Sequence, residues 1–207
     1  RILVASHSNH GVDNMLAKLL PYMPMLGNAA HPARVGKRER LHAEAVAFYV
    51  EPGASLEQRD IIFTTCDSLA LQDAAGAARY DYVVLDEANR ATVLDSLLVL
   101  ARGTRFILVG DNMQLPPVLS DQERALVQEN AESVAGTSLF NWLIAQHCPY
   151  VLLDIQNRMH PEIGTLVSQT FYEGRIKNGR AVPYRRVAPW LTEKAACWVD
   201  TSLLHRC

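Results

Sequence analysis

The 207-residue sequence lacks the features that mark several specialised classes of protein. It has no signal peptide and no apolar run near the roughly 20 residues that cross a bilayer, so neither a membrane nor a secreted protein is expected. Its four cysteines show no C-x-x-C spacing, which argues against a zinc cluster and favours a reducing, cytoplasmic setting. The net charge is only −2, so any contact with nucleic acid must be local. What remains is an ordinary globular composition, with 49% hydrophobic and 20% charged residues.

The most informative stretch is an apolar run, Tyr82 to Leu85, that leads directly into the carboxylates Asp86 and Glu87. A continuous run of this kind is typical of a parallel strand that is covered on both faces. Open α/β sheets bind ligands beyond the carboxyl ends of their strands. At that edge an Asp can hold Mg²⁺ on a nucleotide, and a Glu can orient or deprotonate water. A strand that ends in two solvated acids is the alternative interpretation.

A second stretch repeats this pattern downstream. Phe106 to Val109 is again apolar, and Gly110, which allows close backbone approach to a ligand, follows it. Asp111, Asn112, Met113 and Gln114 come next, and a stiff Leu-Pro-Pro sequence ends at position 117. The two stretches together form a long and specific pattern of strand, acids, helix, strand and Gly-Asp-x-x-Gln-Leu-Pro-Pro.

This pattern resembles the superfamily 1 helicases. Asp86-Glu87 is similar to their Walker B motif, and the segment from Gly110 to Pro117 is similar to the motif that couples nucleotide to nucleic acid. A third stretch, Gln156-Asn157-Arg158-Met159-His160-Pro161, is similar to the Gln-Tyr-Arg-Met-His-Pro signature of the up-frameshift (RNA-decay) type. The three motifs stand in the family's order, and the resemblance covers nearly the whole chain.

The resemblance implies an α/β fold, the parallel-sheet RecA-like core of P-loop NTPases. Residues 1–149 would form most of the first RecA-like domain without its phosphate-loop segment, and 150–207 would begin the second. Apolar runs predict strands of this second domain at 150–153 and 196–201.

The same resemblance assigns roles to individual residues, with ATP and Mg²⁺ as cofactors. Glu87 would activate the attacking water, Gln114 would sense the γ-phosphate, and Arg158 would be an arginine finger from the second domain. Asp86 would hold the Mg²⁺ of the nucleotide. The nucleotide-binding residues are then Asp86, Glu87, Asp111, Gln114 and Arg158. A rigid, permanently charged guanidinium suits a phosphoryl group that builds up charge, although a structural ion pair is the alternative for Arg158.

Four polar residues correspond to family positions that contact a nucleic-acid strand. Ser8 and Asn9 precede a predicted helix at 11–20, where hydroxyl, amide and helix N-terminus can meet a phosphate. A plain helix cap is the alternative, and the two roles are compatible. Thr64 and Thr65 end a predicted strand, where Thr is also ordinary strand composition.

Two further local predictions concern the packing of side chains. A helix over 90–102 is expected to bury Leu94, Leu97 and Leu98 in the core. The basic cluster that begins at Arg34 is interpreted as a solvated helix face in preference to a nucleic-acid contact.

The chain departs from the family pattern at three positions. Asn89 stands where a small residue is common, and Arg90 stands where Gln is usual, so local contacts around the acids are in doubt. Asn157 replaces an aromatic residue near the nucleotide base and cannot stack as an aromatic ring does.

One required motif is absent, because no G-x-x-x-x-G-K-[ST] phosphate loop occurs in the sequence. In the resembled helicases it precedes the strand with which this chain begins, and later motifs would follow Cys207. We therefore expect a fragment whose partners include the missing N- and C-terminal parts of the same helicase. We expect these 207 residues alone not to hydrolyse ATP.

The function implied is ATP-driven movement along, or unwinding of, single-stranded DNA or RNA, with 5′-to-3′ polarity by resemblance only. Two alternatives stay open: an ATPase that switches or remodels complexes without unwinding, and a nucleic-acid-binding scaffold with a degenerate nucleotide site. The sequence does not choose between DNA and RNA, because the predicted contacts are directed to the backbone of the strand.

Overall fold

The computed structural model describes residues 1–26, 30–72, 78–119, 121, 124–125 and 138–179. The chain divides into two compact units, residues 1–148 and residues 149–207. The strand predicted at 196–201 lies outside the described residues. No helix in the described part of the chain is long and apolar enough to cross a membrane.

A six-stranded parallel sheet forms the centre of the first unit. Its strands are β1 (Ile2–Ser6), β2 (Pro32–Val35), β3 (Tyr49–Val50), β4 (Ile61–Thr65), β5 (Tyr80–Asp86) and β6 (Gly103–Leu108). They lie in the order β3-β2-β4-β1-β5-β6, and every neighbouring pair is parallel. The α/β, RecA-like fold class predicted from the sequence is thereby confirmed.

The helices of the first unit whose bounds lie within the described residues accompany this sheet. They are α1 (Asn9–Leu19), α2 (Met23–Leu26), α3 (Cys66–Gln72), α4 (Val93–Leu100) and α5 (Leu139–Ala145), with 3-10 turns at Leu20–Tyr22, Arg38–Arg40 and Ala43–Phe48. The second unit contains α6 (Pro161–Phe171) and a parallel pair of short strands, β7 (Ile155–Gln156) and β8 (Lys177–Asn178).

Both faces of the sheet are covered near its middle. Along β1, Leu3 and Ala5 belong to one buried cluster, whereas Val4 belongs to a second one with Val12 and other residues of the opposite face. Because successive strand residues point to opposite faces, a continuous apolar strand packs against two layers at once. This arrangement explains why the predicted buried strands lack an alternating pattern.

Polar side chains set the starts of three helices. The Ser8 side chain accepts a hydrogen bond from the backbone N–H of Gly11, which confirms the predicted cap of α1. Ser138 caps α5 in the same way. Thr92 and Asp95 form a reciprocal capping box, so α4 begins at Val93 and not at position 90 as predicted.

The prediction that Leu94, Leu97 and Leu98 are buried in the core is wrong for Leu94 and Leu97, whereas Leu98 is half-buried. Leu94 and Leu97 of α4 are 73% and 49% exposed, and Phe106 and Ile107 of β6 are 56% and 52% exposed. The physical reason is position, because β6 is the last strand of the sheet and no described element covers its outer side. An apolar pattern in the sequence indicates which residues can be buried. Which of them are buried depends on the helices and strands that pack against them.

The predicted strand at 150–153 is also wrong. These residues form no strand, and Val151 and Leu153 are 87% and 81% exposed. The strand of this region is Ile155–Gln156, which finds a partner in Lys177–Asn178. A strand needs a neighbour for its backbone groups, and the apolar run alone did not reveal where that neighbour lies.

Candidate functional site

Three adjacent strands end side by side at one edge of the first unit's sheet. Ser6 at the end of β1 is in register with Thr65 of β4 on one side and with Asp86 of β5 on the other. Parallel strands present their carboxyl ends at one edge, which is where open α/β sheets bind ligands. The Ser6 hydroxyl there is fully buried and has no hydrogen-bond partner among the described residues.

The turn after β5 holds Glu87 in an unusual backbone conformation. Its φ of 54° lies in the left-handed region, which a non-glycine residue seldom adopts. The turn is fixed on both sides, because Ala88 N donates to Val109 O at 2.9 Å and Arg90 N donates to Glu87 O at 2.9 Å. Backbone conformations of this kind cost energy and cluster at functional sites. The sequence pattern carried no signal of this conformation.

The loop after β6 is organised by Asp111. Its Oδ1 accepts from Met113 N at 3.1 Å, and its Oδ2 accepts from Gln114 Nε2 at 2.8 Å. Asp111 thus orients the amide of Gln114, one of whose two side-chain N–H groups is used in this bond. The predicted nucleotide-binding residues Asp111 and Gln114 are therefore in direct contact with each other.

The two loops are joined by a residue for which the sequence suggested no role. Asn89 is fully buried, and its side chain hydrogen-bonds to the backbone of both Asp111 and Leu115. Its departure from the family pattern was the only signal available. The loop that carries Asp86 and Glu87 is in this way connected to the loop that carries Gln114.

The donor chemistry at this edge suits Mg²⁺ that arrives with a nucleotide. No group of three or more His, Cys, Asp or Glu side chains within the described ranges could hold a metal unaided. Mg²⁺ is usually bound by one or two carboxylates together with substrate phosphates and water, and carboxylate oxygen is its preferred protein ligand. Asp86, half-buried at the end of β5, offers such a carboxylate.

The thiol of Cys66, beside this edge of the sheet, has low reactivity. The Sγ of Cys66, the first residue of α3, donates to the backbone oxygen of Ser6 at 3.8 Å. Burial, with a smaller contribution from the charge of Asp95, raises the pKa of Cys66 to about 12. The protonated thiol is a poor nucleophile, so Cys66 packs as a small core residue.

The start of α1 rests on a buried ion pair. Arg34 of β2 is fully buried, and its guanidinium donates to Asp13 Oδ1, to Val35 O and, at 2.9 Å, to Asn9 Oδ1. Asp13 in turn accepts from the backbone N–H of His42 at 2.9 Å. The prediction that Arg34 lies on a solvated helix face is wrong, because a strand and a buried acid hold it inside.

This ion pair orients the predicted nucleic-acid contact Asn9. Since its Oδ1 accepts from Arg34, the amide is fixed with its NH₂ group directed away from the guanidinium. The Oγ of Ser8 accepts from Gly11 N at 3.0 Å, which leaves its hydroxyl hydrogen available for donation. Both predicted residues thus lie at the N-terminus of α1 with donor groups.

The predicted contacts Thr64 and Thr65 are placed inside the fold. They are 1% and 3% exposed. The Thr64 hydroxyl donates to Thr65 O at 3.2 Å, and the Thr65 hydroxyl donates to Ser68 Oγ at 2.9 Å and accepts from Ser68 N. In this conformation both hydroxyls have internal partners, and contact with nucleic acid stays a prediction.

In the second unit, Gln156 supports the segment that carries Arg158. Its Oε1 accepts from the backbone N–H groups of Arg158 and Met159 at 2.9 and 2.7 Å. Its Nε2 donates to Met159 O and to Asn178 Oδ1, which ties the segment to β8. The Arg158 side chain is exposed. Within this motif the Gln156 amide therefore holds the loop in place, and the Arg158 guanidinium is exposed.

Neighbouring motif residues serve the local structure of the second unit. His160 caps α6 through Nδ1, which accepts from Glu162 N at 3.2 Å. The Asn157 side chain lies against Gly179, where any side chain would clash with its Oδ1. The family departure at Asn157 is thus accommodated by a glycine.

A parallel α/β sheet with paired acids at its carboxyl edge, followed by a Gly-Asp-x-x-Gln loop, defines the class of nucleotide-dependent RecA-like proteins. Two family models, both described as AAA domain, match residues 52–122 and 135–205. The chain belongs to the superfamily 1 helicases, in the up-frameshift-like group, and represents part of the helicase core.

Three relatives illustrate this membership. The chain is 30% identical over 86% of its length to the DNA replication ATP-dependent helicase/nuclease DNA2 of Saccharomyces cerevisiae. It is 37% identical over 63% of its length to the helicase SEN1 of the same yeast. It is 31% identical over 65% of its length to the regulator of nonsense transcripts 1 homolog of Arabidopsis thaliana. The chain spans only 12%, 6% and 10% of these proteins, respectively.

Proposed function

We propose that this chain is the part of an ATP-dependent helicase or translocase that couples ATP hydrolysis to movement on single-stranded DNA or RNA. The observation that carries the proposal is the physical connection of two loops at the carboxyl edge of the sheet. One loop ends β5 with Asp86 and Glu87, and the other follows β6 with Asp111 and Gln114. A change at the nucleotide site needs such a connection in order to alter a surface that binds a nucleic-acid strand.

In this proposal ATP with Mg²⁺, when bound, supplies the reactive phosphoryl group and the charge that neutralises it. Asp86 would hold the cation, and Glu87 would orient or deprotonate the attacking water. Gln114 donates an amide hydrogen toward the γ-phosphate while Asp111 keeps the amide oriented. Arg158 contributes a guanidinium to the charge that develops on the transferred group.

The proposed nucleic-acid contacts begin with Ser8 and Asn9. A hydroxyl, an oriented NH₂ group and the N-terminus of α1 form a cluster of donors that suits a phosphate of the strand. Thr64 and Thr65 join this contact only if their internal hydrogen bonds are exchanged for bonds to the strand. Polarity from 5′ to 3′ rests on family resemblance alone.

We further propose that other parts of the same protein complete the ATP site. The phosphate loop is absent from these 207 residues, and the matched relatives are many times longer. The edge strand β6, with the exposed Phe106 and Ile107, offers apolar surface and backbone groups that pair with no further described strand. Residues 1–149 and 150–207 are then a first RecA-like domain and the start of a second, in a cytoplasmic protein.

The test is ATPase activity of the full-length parent with and without single-stranded nucleic acid. We expect stimulation by single strands, and we expect Glu87→Gln to lower kcat at least ~100-fold because it removes the group that activates water. Glu57→Gln, at an exposed glutamate outside this edge, is the matched control and should behave like wild type. Separate assays with DNA and RNA identify the substrate.

A parent protein without stimulated turnover would favour the scaffold alternative. Stimulated turnover without strand displacement would favour a remodelling ATPase. Turnover by the isolated 207 residues would contradict the proposal that other parts of the protein are needed.

A further inference from the structure

The side chain of Asn89 bonds the loop after β5 to the loop after β6. Its Oδ1 accepts from the backbone N–H of Asp111 at 3.1 Å, and its Nδ2 donates to the backbone oxygen of Leu115 at 3.3 Å. Its side chain is 0% exposed. One amide thus binds both ends of the turn that carries Gln114.

The fit around Asn89 is tight as well as polar. A Cβ on Gly110 would stand 2.9 Å from Asn89 Oδ1 and 3.1 Å from Asn89 N. The absence of a side chain at Gly110 therefore lets the two loops approach each other closely. Backbone bonds from Ala88 N to Val109 O and from Val109 N to Leu85 O, both at 2.9 Å, support the same contact from the strand side.

The geometry points to Asn89 as a positioning residue that makes the two loops move as one body. This inference rests on the proposed ATPase function and assigns to Asn89 no contact with nucleotide. Glu87 is two residues before Asn89, and Gln114 lies within the turn that Asn89 binds. A change at either loop is consequently transmitted to the other through a buried amide.

The chemistry of the side chain explains why few other residues fit this position. The contact needs one acceptor for an N–H and one donor for a carbonyl, at the two ends of a short planar group. A primary amide provides both without a charge, whereas a carboxylate lacks the donor and an alkyl group lacks both. Buried hydrogen bonds of this kind favour a single geometry, because a polar group that loses its partner away from water raises the free energy of the folded state.

The experiment compares Asn89→Ala with Val99→Ala in the full-length parent. Val99 is also 0% exposed and belongs to the same core cluster as Ala88, but it lies in α4 and bonds to neither loop through its side chain. For Asn89→Ala we expect about a tenfold lower nucleic-acid-stimulated kcat, with KM for ATP changed less than about twofold, because two hydrogen bonds that align the reacting groups are lost. Val99→Ala should lower the melting temperature at least as much and keep kcat within about twofold.

A second measurement reports directly on the hydrogen bond between the Asp111 amide and Asn89. Hydrogen exchange of the Asp111 amide should become at least about tenfold faster in Asn89→Ala and stay unchanged in Val99→Ala. Gly110→Ala should reproduce the loss of kcat by forcing the loops apart, and its effect should be smaller when Asn89 is already alanine, since the closest clash is then removed.

The outcomes separate this inference from the proposed function. If the wild-type parent shows stimulated ATPase but Asn89→Ala keeps kcat within about twofold, the positioning role is wrong and the proposed function stands. If Val99→Ala loses as much kcat as Asn89→Ala, the effect is general destabilisation and the role is again wrong. If the wild type shows no stimulated turnover, the proposed function fails, whereas the exchange rate of the Asp111 amide still tests the link between the loops.

Discussion

Asp13 and Arg34 form an ion pair inside the first unit, and its disruption gives a sharp test of how this part of the sheet is held. Their side chains are 2% and 0% exposed, and Arg34 Nε donates to Asp13 Oδ1 at 2.5 Å. Among the described residues, Asp13→Ala would leave the guanidinium with Asn9 Oδ1 and Val35 O as its acceptors. The positive charge would then have no buried counter-charge in this network.

The expected cost follows from that burial. Removal of one partner of a buried ion pair destabilises a protein by about 3–5 kcal/mol, because the remaining charge is neither paired nor hydrated. The backbone N–H of His42 also loses its acceptor, Asp13 Oδ2. Since a domain is typically stable by about 5–15 kcal/mol, the loss would be about a fifth or more of the total. Replacing both partners with apolar residues, in Asp13→Leu with Arg34→Met, should recover much of it, because no buried charge remains.

Native-state hydrogen exchange on the intact protein measures this cost where it arises. The free energy of opening should fall by about 3–5 kcal/mol for the amides of β2 and of its neighbour β4. Lys177→Ala is the matched control, because its ion pair with Asp154 is 73% and 42% exposed and should contribute less than about 1 kcal/mol. A loss below about 1 kcal/mol for Asp13→Ala would refute the reasoning.

Two further predictions concern crowding and pH. Gly164→Ala should destabilise the second unit by about 1–3 kcal/mol in urea unfolding, because its Cβ would clash with Asn178 Oδ1 and stand 2.7 Å from Gln156 Nε2; unchanged stability would contradict this close packing. The pKa of Cys66 is raised by burial from 9.0 to about 12, so the folded state keeps a proton that the unfolded chain loses. Stability present below pH 9.0 is therefore lost as the pH rises toward about 12, by up to about 1.4 kcal/mol per pH unit. Cys66→Ala should remove that slope in unfolding measurements at about pH 8 and about pH 10.5, and an unaltered slope would contradict it.

The motif residues could be found from the sequence because their chemistry depends on local order along the chain. An apolar strand followed by Asp86-Glu87, or by Gly110 and Asp111, predicts acids at the carboxyl edge of a parallel sheet, and the structure places both there. Local capping by Ser8 was equally visible, because the bond spans only three residues. The catalytic and binding roles of these residues remain proposals.

Partners that are distant along the chain could not be found in this way. Arg34 belongs to a basic cluster in the sequence, yet a strand places it beside Asp13, 21 residues earlier. Asn89 meets Leu115 across 26 residues, and no local pattern predicts such a contact. The family resemblance also assigned Thr64 and Thr65 to contact with a nucleic-acid strand, whereas in the folded chain both side chains are buried.

The sequence by itself determined the family, the α/β class and the identity of the candidate chemical groups, because these depend on short-range order and residue type. Only the tertiary structure decided which of those groups are buried, which are exposed and which hold each other in place. Burial and pairing arise from segments that meet in space. The exposed β6 edge, the Arg34–Asp13 pair and the Asn89 link are therefore properties of the folded chain and not of any single motif.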